Sequence, residues 1–328
     1  MLFRVIAPPA PRRDRRALTV VLLAAGLALL AWQIQRIGGL ATIRVGFSAV
    51  GWWFLVVLAL SLGRFALRSF AWTTLANARV PLAASTSATI VGDALGNVTP
   101  LGLIASEPAK AWYLSDRLPA AHGLAALVAE NFFYSVSVAI YVVIAAAAML
   151  AFFTLPVAVQ WAGVAALTGM ALVLAGSAWL AWQKPAVASG LLKRVPIARL
   201  QHLVDRLRAF EIESYGSAGH AGGRLAVVAA CELLFHALSL VECWLIYRCL
   251  TGDASILPPL VFDGLNRVIN IVGRPIPLRI GVEEYSTGLF ATAIGVGGPV
   301  GVTLALVRKV RVIVWAIIGF GIYAVRRR

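Results

Sequence analysis

DGLNRVINIVGRPIPLRIGVEEYSTG, residues 263–288, lies between two long apolar runs, and its reading decides the fold. It holds Asp263, Asn266, Arg267, Asn270, Arg274, Arg279, Glu283 and Glu284 in a chain that is otherwise 60% hydrophobic. A lipid-facing helix cannot carry that load, because each ionised residue at mid-bilayer costs about 2.5–3.5 kcal/mol on insertion scales. Pro275 and Pro277 also exclude an uninterrupted helix. Broken backbone at membrane depth is tolerated only where protein or a water-filled cavity surrounds it. The segment 256–294 is therefore expected to enter the membrane as a re-entrant hairpin and to line a site.

The rest of the chain places this segment in an all-α polytopic membrane protein. Mean hydropathy is +0.86, only 13% of residues are charged, and apolar runs of about twenty residues recur. The length suits a single integral membrane domain, 1–328, of about six transmembrane helices plus two re-entrant hairpins. A net charge of +15 would fit nucleic acid, but the cations cluster at span ends and loops, where anionic lipid is the natural polyanion. No nucleic-acid partner is expected. Cys231, Cys243 and Cys249 share one expected span, which argues against a disulfide framework or a cysteine zinc site. They read as small packing residues.

In chain order, the basic segment 1–16, with Arg12, Arg13, Arg15 and Arg16, precedes a first span at about 17–34 that lacks a convincing cleavage site and reads as an uncleaved anchor. The second span begins near Val50 and carries Arg64 and Arg68 on one face. Snorkelling to the cytoplasmic end is the preferred reading there, and a buried pair is the alternative. A third span, about 123–150, aligns Glu130, Tyr134, Ser137 and Tyr141 in one stripe at the helical period, which should face the bundle interior. The fourth, after Pro156, is uncharged and suits scaffold against lipid. Segment 184–215 reads as an amphipathic cytoplasmic helix lying on an anionic leaflet, or as a basic connector packed on neighbouring spans. The fifth span, about 225–247, groups Glu232, His236, Ser239 and Cys243 on one face. Glu-x3-His is not a zincin pattern and has no second ligand cluster, so a polar interhelical contact or a proton-linked pair is expected rather than a metal. The last span, about 299–325, ends in three arginines, and both termini are expected to be cytoplasmic.

A second interrupted segment, 81–114, contains Asp93, Asn97, Pro100, Gly102 and Glu107, in loose correspondence with Asp263, Asn270, Pro277, Gly281 and Glu283. LAALVAE (124–130) leads into the third span much as TLALVRK (303–309) leads into the last. By the span count the two hairpins enter from opposite sides, the sequence pointer to an inverted repeat with a site at its interface, and the first returns to the cytoplasmic side, where Lys110 and Arg117 suit it. The spacing does not match residue for residue. Arg248, Arg267, Arg274 and Arg279 then fall toward the outer side, against the positive-inside bias, so either the count is off by one span or these cations are kept for function.

Asn97, Thr99, Pro100, Gly102, Ser106, Glu107 and Pro108, followed by Pro277, Gly281, Val282, Glu283 and Glu284 and by Arg308 at the start of the last span, resemble the lysylphosphatidylglycerol synthase transmembrane family. The resemblance runs from about Ala17 to Val325 and implies a bacterial inner-membrane protein that moves a phospholipid or related amphiphile between leaflets. It puts Glu107 and Glu283 near the headgroup path. The larger enzymes continue into an aminoacyl transferase domain, whereas this chain stops after its last span, so synthase activity is not expected. The family's Glu-Arg at the third span is Glu130-Asn131 here, which leaves the partner of Glu130 open.

Three functions are compatible with these residues. A flippase-like transporter would use Asp93, Asn97, Glu107, Glu130, Asn270, Arg274, Arg279, Glu283 and Glu284 to bind substrate. Arginine forks suit headgroup phosphate, and carboxylates suit headgroup amines; the alternative for Arg279 is to neutralise Glu283, four residues on, if that part is helical. An accessory subunit of a lipid or hopanoid pathway would use the same charges only for packing. A lipid-carrier-dependent transferase is disfavoured because neither D-x-D nor H-x4-D occurs near an interface. No cofactor is expected. The partners are membrane lipids, anionic or zwitterionic phospholipid, and self-association into a homo-oligomer is left open.

Overall fold

A computed structural model describes residues 31–32, 35, 39–99, 102–182, 218–273 and 276–326. The expected N-terminal segment, nearly all of the first span, the amphipathic helix 184–215 and residues 274–275 lie outside them.

The helices are α1 Gly39–Val50, α2 Trp53–Leu75, α3 Leu82–Val98, α4 Leu103–Tyr113, α5 Ala120–Phe152, α6 Val157–Trp182, α7 Ala218–Thr251, α8 Leu257–Val272, α9 Val282–Ala293 and α10 Gly298–Arg326, with a 3-10 turn Pro277–Arg279 before α9. Proline writes several starts: Pro81, Pro119 and Pro156 precede α3, α5 and α6, and Pro258 and Pro259 open α8, where a missing N–H costs nothing. Helix α1 is an element that the sequence reading, which begins the second span near Val50, does not contain. The chain before Trp53 is a separate short helix, broken from α2 by Gly51 at φ +45°.

Four described helices, within α2, α5, α6 and α7, are long and apolar enough to cross a membrane. The 29-residue α10 carries Arg308, Lys309 and Arg311 in its middle, so its length fits a span while its composition does not. Helix α6 leaves most of its surface outward and packs on α5, as lipid-facing scaffold should.

Two helix–break–helix units, α3–α4 and α8–α9, each lead into a long helix. They are arranged as exchanged partners: α3 packs on α10, and α8 packs on α5. The long helices that precede them, α2 and α7, pack on each other. Val57 near the start of α2 shares an apolar cluster with Cys243 and Ile246 near the end of α7. Trp72 and Leu75 at the end of α2 share another with Val228 and Cys231 at the start of α7. The two helices therefore run antiparallel, and the first half (α2–α5) and the second half (α7–α10) run in opposite senses.

The close approaches use glycine. A Cβ at Gly102 would sit 2.4 Å from the carbonyl oxygen of Gly96, closing the α3–α4 turn. One at Gly264 would lie 2.3 Å from Cβ of Ala145, which sets α8 against α5. Small residues at helix crossings are how membrane bundles gain van der Waals contact where lipid offers no hydrophobic drive.

Candidate functional site

The two apolar clusters stand apart along α2, α5 and α7, and the polar residues fall between them. On α2 these are Ser61, Arg64, Arg68 and Ser69; on α7, Glu232, His236, Ser239 and Glu242; on α5, Glu130, Tyr134, Ser137 and Tyr141. Val57 and Ala71 are 14 residues apart on α2, about 21 Å at 1.5 Å per residue, so Arg64, at the middle of this belt, sits about 10 Å from either cluster.

Its centre is built on Asp263 of α8 and Glu242 of α7, both fully buried. Asp263 accepts from Arg308 Nη2 at 2.7 Å, Arg267 Nη2 at 2.9 Å and Ser239 Oγ at 2.9 Å. Glu242 accepts from Arg64 at 3.0 Å and from Arg311, and Arg308 Nε lies 3.9 Å from it. Arg267 and Arg64 also stack on aromatic faces, Arg267 at 4.5 Å over Tyr141 and Arg64 at 4.7 Å over Phe235, which lowers the cost of their burial. Buried charges must be paired and hydrogen-bonded to be tolerated, and these are.

A second cluster forms where the broken helices face each other. Lys309 of α10 reaches Glu283 at 2.5 Å, Glu284 at 3.5 Å and the carbonyl of Leu278 at 2.5 Å. Asn266 donates to Glu283 at 2.6 Å, and Asn270 to Asn266 at 2.9 Å. Glu284 accepts the Gly281 N–H at 2.7 Å and so caps α9. Leu278 and Arg279 hold left-handed backbone at φ +52° and +51°, uncommon for non-glycine residues and a mark of a constrained tip. From that tip Arg279 donates to Asn97 Oδ1 of α3 at 3.3 Å, and Asn97 in turn donates to Asp93 at 2.8 Å. The ends of the two interrupted segments thus touch.

The third cluster lies on the other side. Arg68 grips Glu130 with a bidentate fork, 2.7 and 2.8 Å, adds Asn131 at 3.2 Å, and stacks 4.3 Å from the Tyr134 ring. Lys110 pairs with Glu107 at 2.9 Å in a buried bond.

The chain matches the model of the transmembrane region of lysylphosphatidylglycerol synthase over residues 17–321. It belongs to that family. The family is the flippase-like membrane part of the synthase, separate from its catalytic transferase part. No curated protein and no solved structure matches the chain significantly. Among the described residues no group of three His, Cys, Asp or Glu side chains could hold a metal.

The structure brings together Asp93, Asn97 and Arg279 in one contact and Glu283, Glu284 and Asn270 around Lys309, and it sets Glu107 and Glu130 in the third cluster. Arg274 lies outside the described residues. Three readings change. Arg64 and Arg68 do not snorkel; both point inward to carboxylates, and Arg68 supplies the missing partner of Glu130. Lys110, expected at a cytoplasmic surface, is buried on Glu107. Glu283 pairs with Lys309, while Arg279 reaches across to Asn97 instead of bonding four residues along its own segment, because Gly281 starts a new helix between them. Missing from the residues expected to bind substrate were Glu242, Asp263, Arg267, Lys309 and Arg311. The signal was available for the α10 residues, since three cations in mid-helix cannot face lipid.

Proposed function

We propose that the chain is a lipid transporter of flippase type, moving a phospholipid or related amphiphile between leaflets of the bacterial inner membrane. The carrying observation is the belt of buried charges of both signs set at mid-span, joined to two interrupted helices whose ends meet at Asn97 and Arg279. Intramembrane charge facing a bundle interior marks substrate pathways, and paired broken helices of opposite sense mark the site of inverted-repeat transporters. The segments 81–114 and 256–294 are re-entrant hairpins entering from opposite sides, the full spans number six, and both termini are cytoplasmic.

Arg279, with Arg274 just before it in sequence, meets headgroup phosphate, and Asp93, Asn97, Asn270, Glu283 and Glu284 line the path beside it. Glu107 and Glu130, each held by its own cation, form the opposite end of that path. The test is leaflet exchange in vesicles of phosphatidylglycerol and phosphatidylethanolamine carrying a trace of fluorescent phosphatidylglycerol, phosphatidylethanolamine or lysylphosphatidylglycerol. Exchange above that of empty vesicles for at least one lipid, reduced by Arg279→Glu at equal protein level, is expected. Exchange equal to empty vesicles for all three would refute the reading.

A further inference from the structure

Six of the seven fully buried acidic side chains in the described residues have a Lys or Arg within ion-pair distance: Glu107, Glu130, Glu242, Asp263, Glu283 and Glu284. Glu232, only 4% exposed, has none. Its Oε2 lies 3.2 Å from Ser137 Oγ, and its Oε1 has no hydrogen-bond partner among the described residues. Ser137 Oγ is also 3.0 Å from Nε2 of His236, which is 6% exposed, and the other ring nitrogen, Nδ1, has no hydrogen-bond partner among the described residues. His236 lies between the rings of Tyr141 and Tyr134, stacked at 5.0 and 6.4 Å. A buried carboxylate without a counter-ion is accommodated as the neutral acid, and a hydroxyl between two titratable groups can pass a proton.

We propose that Glu232, Ser137 and His236 form a proton-binding site at the seam between the two halves. Glu232 on α7 holds the proton and Ser137 on α5 relays it. In the relay, the Glu232 acid O–H donates to Ser137 Oγ while the Ser137 hydrogen passes to His236 Nε2. One O–H bond on Glu232 breaks, one N–H bond on His236 forms, and Ser137 ends as a hydroxyl. The groups that face the pair come from α2, α5 and α8: Arg64 and Arg68 from α2, Glu130, Tyr134 and Tyr141 from α5, and Asp263 and Arg267 from α8, beside Cys231 on α7 itself. All five cations and acids among them, Arg64, Arg68, Arg267, Glu130 and Asp263, are already paired with groups other than Glu232. A shift of α8 against α7 that frees Arg267 would offer the carboxylate a counter-ion and release the proton. Coupling of that release to lipid movement rests on the transport reading above; the proton site itself does not.

The experiment has two arms on the full-length chain. Infrared difference spectra of the purified protein, taken between about pH 5 and about pH 9, above the ordinary carboxylate value near 4.3, should contain a protonated-carboxyl stretch. Glu232→Gln should remove that band, and Ser137→Ala should shift its frequency while leaving the monodisperse elution profile of the protein unchanged. No band lost in Glu232→Gln across that range overturns the site. In the second arm, phosphatidylglycerol exchange is measured with and without an imposed pH gradient. A gradient-dependent rate in the wild type that disappears in Glu232→Gln supports coupling, and a gradient-independent rate in the wild type overturns it. Absence of any lipid exchange in the wild type counts against the transport reading and the coupling together, and the infrared arm then decides the proton site alone.

Discussion

Asp263→Asn changes one oxygen to an amide at the most heavily used carboxylate of the belt. The side chain loses its charge but keeps its size, so packing is preserved and electrostatics is isolated. In the wild type it binds Arg308, Arg267 and Ser239 at 2.7–2.9 Å with no exposure to solvent. An amide can still accept from one guanidinium through Oδ1, but its NH2 opposes the other. Arg267 would then be left without an anion, and Arg308 would keep only Glu242 at 3.9 Å. Removing one member of a buried pair costs about 3–5 kcal/mol, chiefly because the stranded charge stays buried. The exposed pair Arg326–Asp116 is the internal control, since Asp116 is 70% exposed and such pairs contribute about 0–1 kcal/mol. SDS titration of the full chain in mixed micelles, followed by tryptophan fluorescence, should lower stability by about 3–5 kcal/mol for Asp263→Asn and by at most about 1 kcal/mol for Asp116→Asn. Adding Arg267→Met to Asp263→Asn should recover a large part of the loss, because the stranded cation goes too. If Asp263→Asn falls within about 1 kcal/mol of wild type, the belt is not held by these charges and the reasoning fails.

Gly102→Ala should disrupt the α3–α4 turn, because its Cβ would meet backbone at 2.4 Å, and overpacking of that kind costs about 1–3 kcal/mol; Gly169→Ala, with nothing within 4 Å, should be silent in the same SDS titration. Arg68→Lys keeps the charge beside Glu130 but loses the fork and the Tyr134 stack, so it should destabilise measurably, whereas a snorkelling arginine would tolerate the change. Arg279→Lys should lower phosphatidylglycerol exchange less than Arg279→Glu does, and equal rates in wild type and Arg279→Glu would remove Arg279 from the lipid path. Cysteines placed near Gln201 should be unreactive to an impermeant label added from outside the cell, and labelling there would overturn the proposed cytoplasmic placement.

The helices were legible in the sequence to the extent that proline and polarity mark them. Pro81, Pro119 and Pro156 stand at real helix starts, and the stripes Glu130–Tyr141 and Glu232–Cys243 both face inward. Both interruptions, around Pro100 and Pro277, are real breaks. Pairing was harder to read. Arg64 and Arg68 carry the same spacing whether they snorkel or turn inward, and only the antiparallel packing of α2 on α7 brings Glu242 within 3.0 Å of Arg64. Charge partners 62, 178 and 182 positions apart in Arg68–Glu130, Arg64–Glu242 and Arg279–Asn97 leave no local signal, because periodicity reports which face is buried and not what it meets.

The way the bonds sort between the halves bears on how such a belt could work. Arg68–Glu130 and Lys110–Glu107 lie wholly within the first half, and Asp263 with Arg267 and Arg308, Glu242 with Arg311, and Lys309 with Glu283 and Glu284 lie wholly within the second. Among the described residues the ion pairs and hydrogen bonds across the seam are one buried ion pair, Arg64–Glu242, the exposed Arg326–Asp116, and the weaker Arg279–Asn97, Ser137–Glu232 and His236–Ser137 contacts, beside the stacks of Arg64 on Phe235 and Arg267 on Tyr141. Each half therefore satisfies most of its own charge, which a rigid body must do if it is to move without exposing unpaired ions. Glu242 keeps Arg311, and Arg308 at 3.9 Å, when Arg64 leaves, so the one buried pair at the seam can open without stranding its carboxylate. Arg64 then keeps the face of Phe235, on α7, as its remaining contact and would have to turn toward water or a headgroup phosphate. The buried cations Arg267, Arg308, Lys309 and Arg311 of the second half are spent internally, and the seam is where a charged headgroup could replace protein bonds at the lowest cost.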